Sequence, residues 1–376
     1  MRLRHPAGPV VHLAYCTNVH PAEDLAGIHE QLTGVAARVR SLTGAGRLGL
    51  GLWLSRRAAR ALRDDPAELA RLRARLDEQG LEVVTLNGFP YGGFHDEVVK
   101  LRVYRPDWAE PERLAYTLDL AEILTALLPD DVTEGSISTL PLAWRTGWTP
   151  AKAAAVNASL AVLARGLRAL AERTGKTIRV GFEPEPGCVV ETTPQAVALL
   201  GGADRDHLGV CLDACHLAVG LEEAADAAAL GLPIVKLQVS SAVEAPPGGQ
   251  HALAAYVEER YLHQTRCAAG YTDDLPEALA GALPTDLPWR THFHMPLHAA
   301  PPPPLTTTSS YLEDLLRLLV TPASPHGDLA APLTRHLEVE TYTWSVLPGP
   351  VDIAEGIAAE LDWTRRRLAA LGLKEI

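Results

Sequence analysis

The segment Leu208-Gly-Val-Cys-Leu-Asp213-Ala-Cys-His216 ends a short apolar run in an acid and adds a histidine three residues later. A strand that delivers Asp213 to its tip, with His216 on the turn beyond, sets a hard carboxylate oxygen and an imidazole on one rim. That donor pair suits a divalent metal ion. The pattern is short, and Asp213 has the alternative use of capping the helix that follows. Two further apolar runs end alike, Ile178-Arg-Val-Gly-Phe-Glu183 and His336-Leu-Glu338-Val-Glu340. Three carboxylate-tipped strands in one chain point to a shared cation site.

Such strands need a frame that brings their ends together. Continuous apolar runs, as expected of parallel strands buried on both faces, fall at 10–15, 48–54, 81–86, 136–140, 178–182, 208–212, 234–239 and 337–341. Ala/Leu/Arg-rich segments with helical spacing lie between them, at 56–79, 111–128, 150–174 and 351–371. Eight strand-then-helix units predict an α/β fold, a single (β/α)8 TIM barrel over residues 1–376. Residues 243–308 read as an elaborated loop after strand seven, either a lid or an interface. Within it, Trp289-Arg-Thr-His-Phe-His-Met-Pro-Leu297 looks like a ninth strand, and Pro301 to Pro304 like a stiff extended linker. An alternative count makes 290–296 the eighth barrel strand and 336–341 accessory.

Composition narrows the function. The 376 residues are 47% hydrophobic and 21% charged, enough for a large core. With 46 acidic against 34 basic residues the net charge is -12, a field that repels nucleic acid and anionic membrane. No signal peptide and no charge-free apolar stretch of spanning length stands out. Five cysteines, an odd number without a disulfide-like framework, read as reduced thiols in a cytoplasm. Cys211 and Cys215, flanking Asp213, read as core residues. A homo-oligomer is compatible with the sequence.

In a barrel of this kind catalytic groups sit at the C-terminal strand ends. Those ends carry Asn18 and His20 after strand one, Asn87 after three, and Glu183 and Glu185 after five. Asp213 and His216 follow strand six, Gln238 ends strand seven, and Glu338, Glu340 and Tyr342 close strand eight. His292 and His294, two apart, share one face of an extended segment. Each has an ordinary use as well: Glu183 could pair with Arg179, and Glu338 or Glu340 could sit on a solvated edge. Phosphate loops, nucleotide fingerprints and nucleophile elbows are missing.

Together Glu183, Asp213-Ala-Cys-His216 and Glu340 resemble the xylose isomerase-like TIM barrels, a superfamily of sugar epimerases, inosose dehydratases and endonuclease IV. The resemblance implies a divalent ion (Mn2+, Mg2+ or Zn2+) held by acids after strands five, six and eight and a histidine after seven. Here Gln238, in Lys236-Leu-Gln-Val-Ser-Ser, replaces that histidine. Either its amide oxygen coordinates or His292 or His294 supplies the imidazole; the metal set is then Glu183, Asp213, Glu340 and Gln238 or His294. The phrases Glu183-Pro-Glu-Pro-Gly-Cys, Tyr261-Leu-His-Gln and Thr291-His-Phe-His look like the narrower group of EboE-type metabolite traffic proteins.

By the same resemblance Glu183 and Glu340 are the proton-transferring groups and His216 holds a substrate oxygen. From their position alone, His20, Asn87, Glu185 and His292 are expected to line the pocket, with Trp53, Phe89 and Trp144 as an apolar wall. The implied activity is isomerisation, epimerisation or dehydration of a sugar or cyclitol, phosphorylated or not. A metal-dependent phosphoester hydrolase and a binding protein without turnover are the alternatives. The expected partner is a small polyol-like substrate, with no nucleic acid.

Overall fold

A computed structural model of the chain describes residues 1–322, 330–349 and 351–376. Eight parallel strands close on themselves: β1 Val10–Cys16, β2 Leu48–Trp53, β3 Leu81–Asn87, β4 Glu134–Thr139, β5 Thr177–Phe182, β6 Leu208–Asp213, β7 Ile234–Val239 and β8 His336–Val339. Each pairs with its sequence neighbour, and His336 to Val339 of β8 align with His12 to Tyr15 of β1 to complete the ring. This is the (β/α)8 barrel expected, with 336–339 and not 290–296 as its last strand. The apolar runs are strands because both faces are covered, by helices outside and by side-chain layers within.

The helix Pro150–Thr174 has the length and apolarity of a membrane span, but Val156, Leu160, Leu163, Leu167 and Leu170 recur at helical spacing and are buried. The segment expected as one helix over 56–79 is two, Arg56–Asp64 and Pro66–Glu78. Asp65 starts the second by accepting from Ala67 and Glu68 N–H groups, with Pro66 in its first turn. Pro301 to Pro304 are also not an extended linker: Leu305 N–H returns to the Pro302 carbonyl, closing a turn.

One layer below the barrel mouth, Lys236 and Glu338 form an ion pair with both side chains fully buried. Glycine at 51 makes room for it, since a Cβ there would lie 1.2 Å from Glu338 Oε1.

The elaborated segment after β7, expected to carry one short β segment, holds a small antiparallel sheet of its own. Strands Val243–Ala245, Thr265–Cys267, Gly270–Thr272, Trp289–Thr291 and Thr306–Thr307 pair in it. Trp289, Phe293, Tyr256 and Leu253 belong to a separate apolar cluster beneath it. The expected ninth strand is therefore real but shorter, Trp289–Thr291, and outside the barrel. It carries His292 and His294 on an irregular stretch just beyond its end.

Candidate metal centre

Glu183 follows β5 directly, Asp213 is the last residue of β6, and Glu340 follows β8. One carboxylate oxygen from each lies within 4.8 Å of the others, and all three side chains are buried. The strand ends hold them there: Glu183 N–H donates to Thr139 O (3.0 Å) and Glu340 N–H to Val239 O (3.3 Å). Asp213 takes up the capping use and leaves its second oxygen open. Its Oδ1 caps the helix Ala214–Val219 by accepting from His216 N–H (2.9 Å) and from Ser240 Oγ (2.8 Å), while Oδ2 has no hydrogen-bond partner.

Like charges in a dry site cost energy, and Glu183 and Glu340 respond by holding protons. Burial, reinforced by Glu340 and Asp213, pushes Glu183 well above the usual carboxylate range. Burial and the charges of Asp213 and Glu338 raise Glu340 to about 8. This happens although Glu340 Oε1 accepts from Asn18 Nδ2 (2.7 Å) and Asn87 Nδ2 (2.9 Å). Glu183 was not drawn into a pair with Arg179, whose Nε instead donates to the Asp206 carbonyl.

Three imidazoles border the acids, and each has its Nδ1 against an oxygen. His294 Nδ1 meets the Glu340 carbonyl (2.7 Å), His216 Nδ1 the Pro184 carbonyl (3.1 Å) and His292 Nδ1 the Gln264 Oε1 (2.7 Å). That arrangement turns each Nε2 lone pair inward, the tautomer a metal-binding histidine adopts. His294 Nε2 has no partner and lies 4.0 Å from Asp213 Oδ2. Burial pulls His216 down to about 4 and lowers His292 and His294, so all three are neutral near pH 7.

Glu183 Oε2, Asp213 Oδ2 and His294 Nε2 are thus buried acceptors without donors. A cation satisfies such a set; the residues fit a divalent ion. Gln238 is also buried with both amide atoms unpartnered, in register with Asp213 on one side and Glu338 on the other.

Above the acids opens a cavity lined by Glu183, Glu185, His216, His292, His294, Glu340 and Asn87. Glu185 accepts from Tyr104 OH (2.6 Å) and Gln264 Nε2 (3.4 Å), and burial raises it to about 8. His20 is the exception among the expected pocket residues: it is turned aside, its Nε2 3.2 Å from Tyr15 OH, and does not line the cavity. Of the expected apolar wall only Phe89 lines it; Trp53 packs on Phe94 and Trp144 on Tyr104 behind it. Asn18, Tyr104, Tyr261 and Tyr342 line it too. Asn18 and Tyr342 stand among the strand-end residues already noted and Gln264 closes the phrase Tyr261-Leu-His-Gln, while Tyr104 follows no strand end and carries no local signal.

The five cysteines are all free and buried. The model of the family described as xylose isomerase-like TIM barrel matches residues 42–263. Curated proteins give no match. Among solved structures, a xylose isomerase-like TIM barrel protein from Mycobacterium smegmatis in complex with magnesium is 14% identical, with TM-score 0.54, covering 98% of this chain and 94% of that one. The 3-keto-D-glucoside 4-epimerase YcjR from E. coli is 15% identical with TM-score 0.47, covering 95% and 99%. The IOLI protein with a bound zinc atom is 14% identical with TM-score 0.47, covering 96% and 98%. At such identities the likeness concerns the fold, and no narrower group is indicated. A barrel closed as described, with the family model spanning more than half of its residues, shows that this chain belongs to the xylose isomerase-like TIM barrel family.

Proposed function

We propose that the protein is a divalent-metal-dependent isomerase or epimerase of a sugar or cyclitol, moving a proton at the carbon beside a carbonyl. The observation that carries this reading is the convergence of unpartnered Glu183 Oε2, Asp213 Oδ2 and His294 Nε2 beside Glu340 in a buried site. Glu183, Asp213, Glu340 and His294 would hold the ion, with Gln238 the alternative fourth ligand. When bound, the ion supplies Lewis acidity, lowering the energy of negative charge on a substrate oxygen.

The chain's own residues supply the rest. Removal of a proton beside a carbonyl, and its return on the other face, needs two groups that titrate near the working pH. Glu183 and Glu340, whose carboxylate oxygens converge at the cavity floor, are the candidates for that pair. Asn18 and Asn87 fix Glu340 through the oxygen they share, leaving its other oxygen for the proton. His216 and His292, neutral in this site, are placed to accept substrate hydroxyl hydrogens. The aromatic walls exclude water from the reacting carbon.

Two measurements test the reading. Anomalous scattering from an Mn2+-soaked crystal should place the ion among Glu183, Asp213, Glu340 and His294; an ion elsewhere, or none, refutes the metal site. Proton NMR in D2O of ketoses and inososes with the Mg2+-loaded protein should show washout of one C–H signal, lost in Glu340→Gln. Binding without washout across the panel refutes turnover by proton transfer.

A further inference from the structure

The cavity has a floor and a roof of opposite character. Carboxylates, imidazoles and the two asparagine amides make the floor, while Phe89, Phe94, Tyr104, Tyr261 and Tyr342 make the walls and roof. Three of these rings form one packed unit: Phe94 to Tyr261 at 5.2 Å, Phe94 to Tyr342 at 5.5 Å and Tyr261 to Tyr342 at 4.9 Å between centroids. Tyr261 OH is spent on the Phe94 carbonyl (3.2 Å), so the ring presents carbon to the cavity.

The roof is a seam between two distant segments. Val99 and Lys100, on the excursion between β3 and the helix Pro111–Leu127, both donate their N–H groups to the Arg260 carbonyl at 2.8 Å. Lys100 is the one cation among the described residues that line the cavity. Its ammonium is already committed to Asp274 (2.6 Å) and the Glu258 carbonyl (3.3 Å), both on the segment after β7. It closes the roof instead of greeting a ligand. On the floor, three carboxylates around one divalent ion still leave a negative charge. A phosphate group entering here would meet excess negative charge and no free cation, whereas phosphate sites need unpaired Lys, Arg or N–H groups.

Resting on the metal-dependent sugar reading above, we propose that the substrate is an uncharged polyol carrying an apolar ring or chain, as in a glycoside, and not a phosphate ester. The hydroxylated part meets the polar floor; the apolar part lies against Tyr261, Phe94 and Tyr342, where flat apolar surface is removed from water.

The test uses the full chain loaded with Mg2+ and calorimetric titration with phenyl glycosides of D-glucose, D-galactose and D-mannose, the parent hexoses and their 6-phosphates. At least one phenyl glycoside should bind about tenfold tighter than its parent, and every 6-phosphate more weakly than its parent. Tyr261→Ser should bring the phenyl glycoside back to the parent level with Mg2+ affinity unchanged. Asp274→Asn, which frees Lys100, should strengthen 6-phosphate binding. A 6-phosphate tighter than its parent, or no phenyl glycoside tighter than its parent, overturns the proposal. The Mg2+ titration made first reports on the metal site separately, so loss of metal binding refutes that reading while the ring preference is still read from the sugars.

Discussion

His216 and His292 meet through their Nε2 atoms at 3.1 Å, although each already turns its Nδ1 to an oxygen. The Gln264 amide is oriented by Nε2 donating to the Pro186 carbonyl (3.0 Å), so its Oε1 accepts from His292. Two lone pairs therefore face each other at hydrogen-bond distance, and burial removes the proton that would join them. A cation with affinity for imidazole relieves the contact. Zn2+ should bind His292→Ala about tenfold or more weakly than the parent chain, while Mg2+, which prefers oxygen, binds both alike. Competition titrations with a chromophoric chelator check this; equal losses for the two ions would refute it.

Cation binding should release protons. Glu340 keeps its proton up to about 8, burial and its acidic neighbours hold Glu183 well above the usual carboxylate range, and coordination needs the ionised form. Apparent Mn2+ affinity should therefore rise with pH toward 8, by up to about tenfold per unit for each proton displaced. Calorimetry in buffers of different ionisation enthalpy should show a buffer-dependent heat, and a buffer-independent heat would contradict it.

Asp213→Asn keeps the Oδ1 that accepts from His216 and Ser240 but removes a buried carboxylate charge whose Oδ2 has no partner. Without metal this variant should be more stable, by about 0.5–2 kcal/mol, the exchange of stability against function expected at a strained site. The rise in melting temperature that Mn2+ gives the parent chain should vanish. Thermal denaturation with and without Mn2+ reads both.

Glu360, buried between Leu297 N–H (3.0 Å) and Thr341 Oγ1 (2.7 Å), is raised by burial from its ordinary 4.5 to about 8. Below 4.5 the group is protonated in both folded and unfolded chains, and its contribution is complete. Between 4.5 and about 8 the unfolded chain ionises while the folded one keeps its proton, so stability falls as pH rises, by up to about 1.4 kcal/mol per unit. Glu360→Gln cannot ionise and should flatten that part of the profile, as measured by urea unfolding across the window.

Lys236→Met leaves Glu338 charged and unpaired in the barrel interior and should cost about 3–5 kcal/mol. Lys236→Met with Glu338→Leu should recover most of that loss. Urea midpoints of the single and double variants decide whether the pair or the individual charges govern stability.

The barrel was legible because most of its strands are predominantly apolar: the runs ending at Glu183, Asp213 and Glu340 marked both the elements and the acids at their tips. Helix breaks were less visible, as at Asp65-Pro66, where spacing continues through a cap that interrupts it. His20 went astray because the turn after β1, Thr17–Val19, rotates the chain so that Asn18 faces Glu340 instead. The sheet in 243–307 was hidden by strands of two or three residues, too short for alternation to register. Gln264 and Tyr104 reach Glu185 from segments 79 and 81 residues away, a proximity only closure of the whole chain creates.

At the Arg260 carbonyl the seam is made by backbone atoms, beside the Lys100–Asp274 ion pair. Replacing side chains at 99 or 260 leaves both N–H groups and the carbonyl in place, so the roof can stay latched while its inner surface changes. The floor has no such latitude, because its acids and imidazoles are fixed by identity as well as position. Heritable variation in what the protein accepts can therefore accumulate on one side of the cavity while its reaction is held constant by the other.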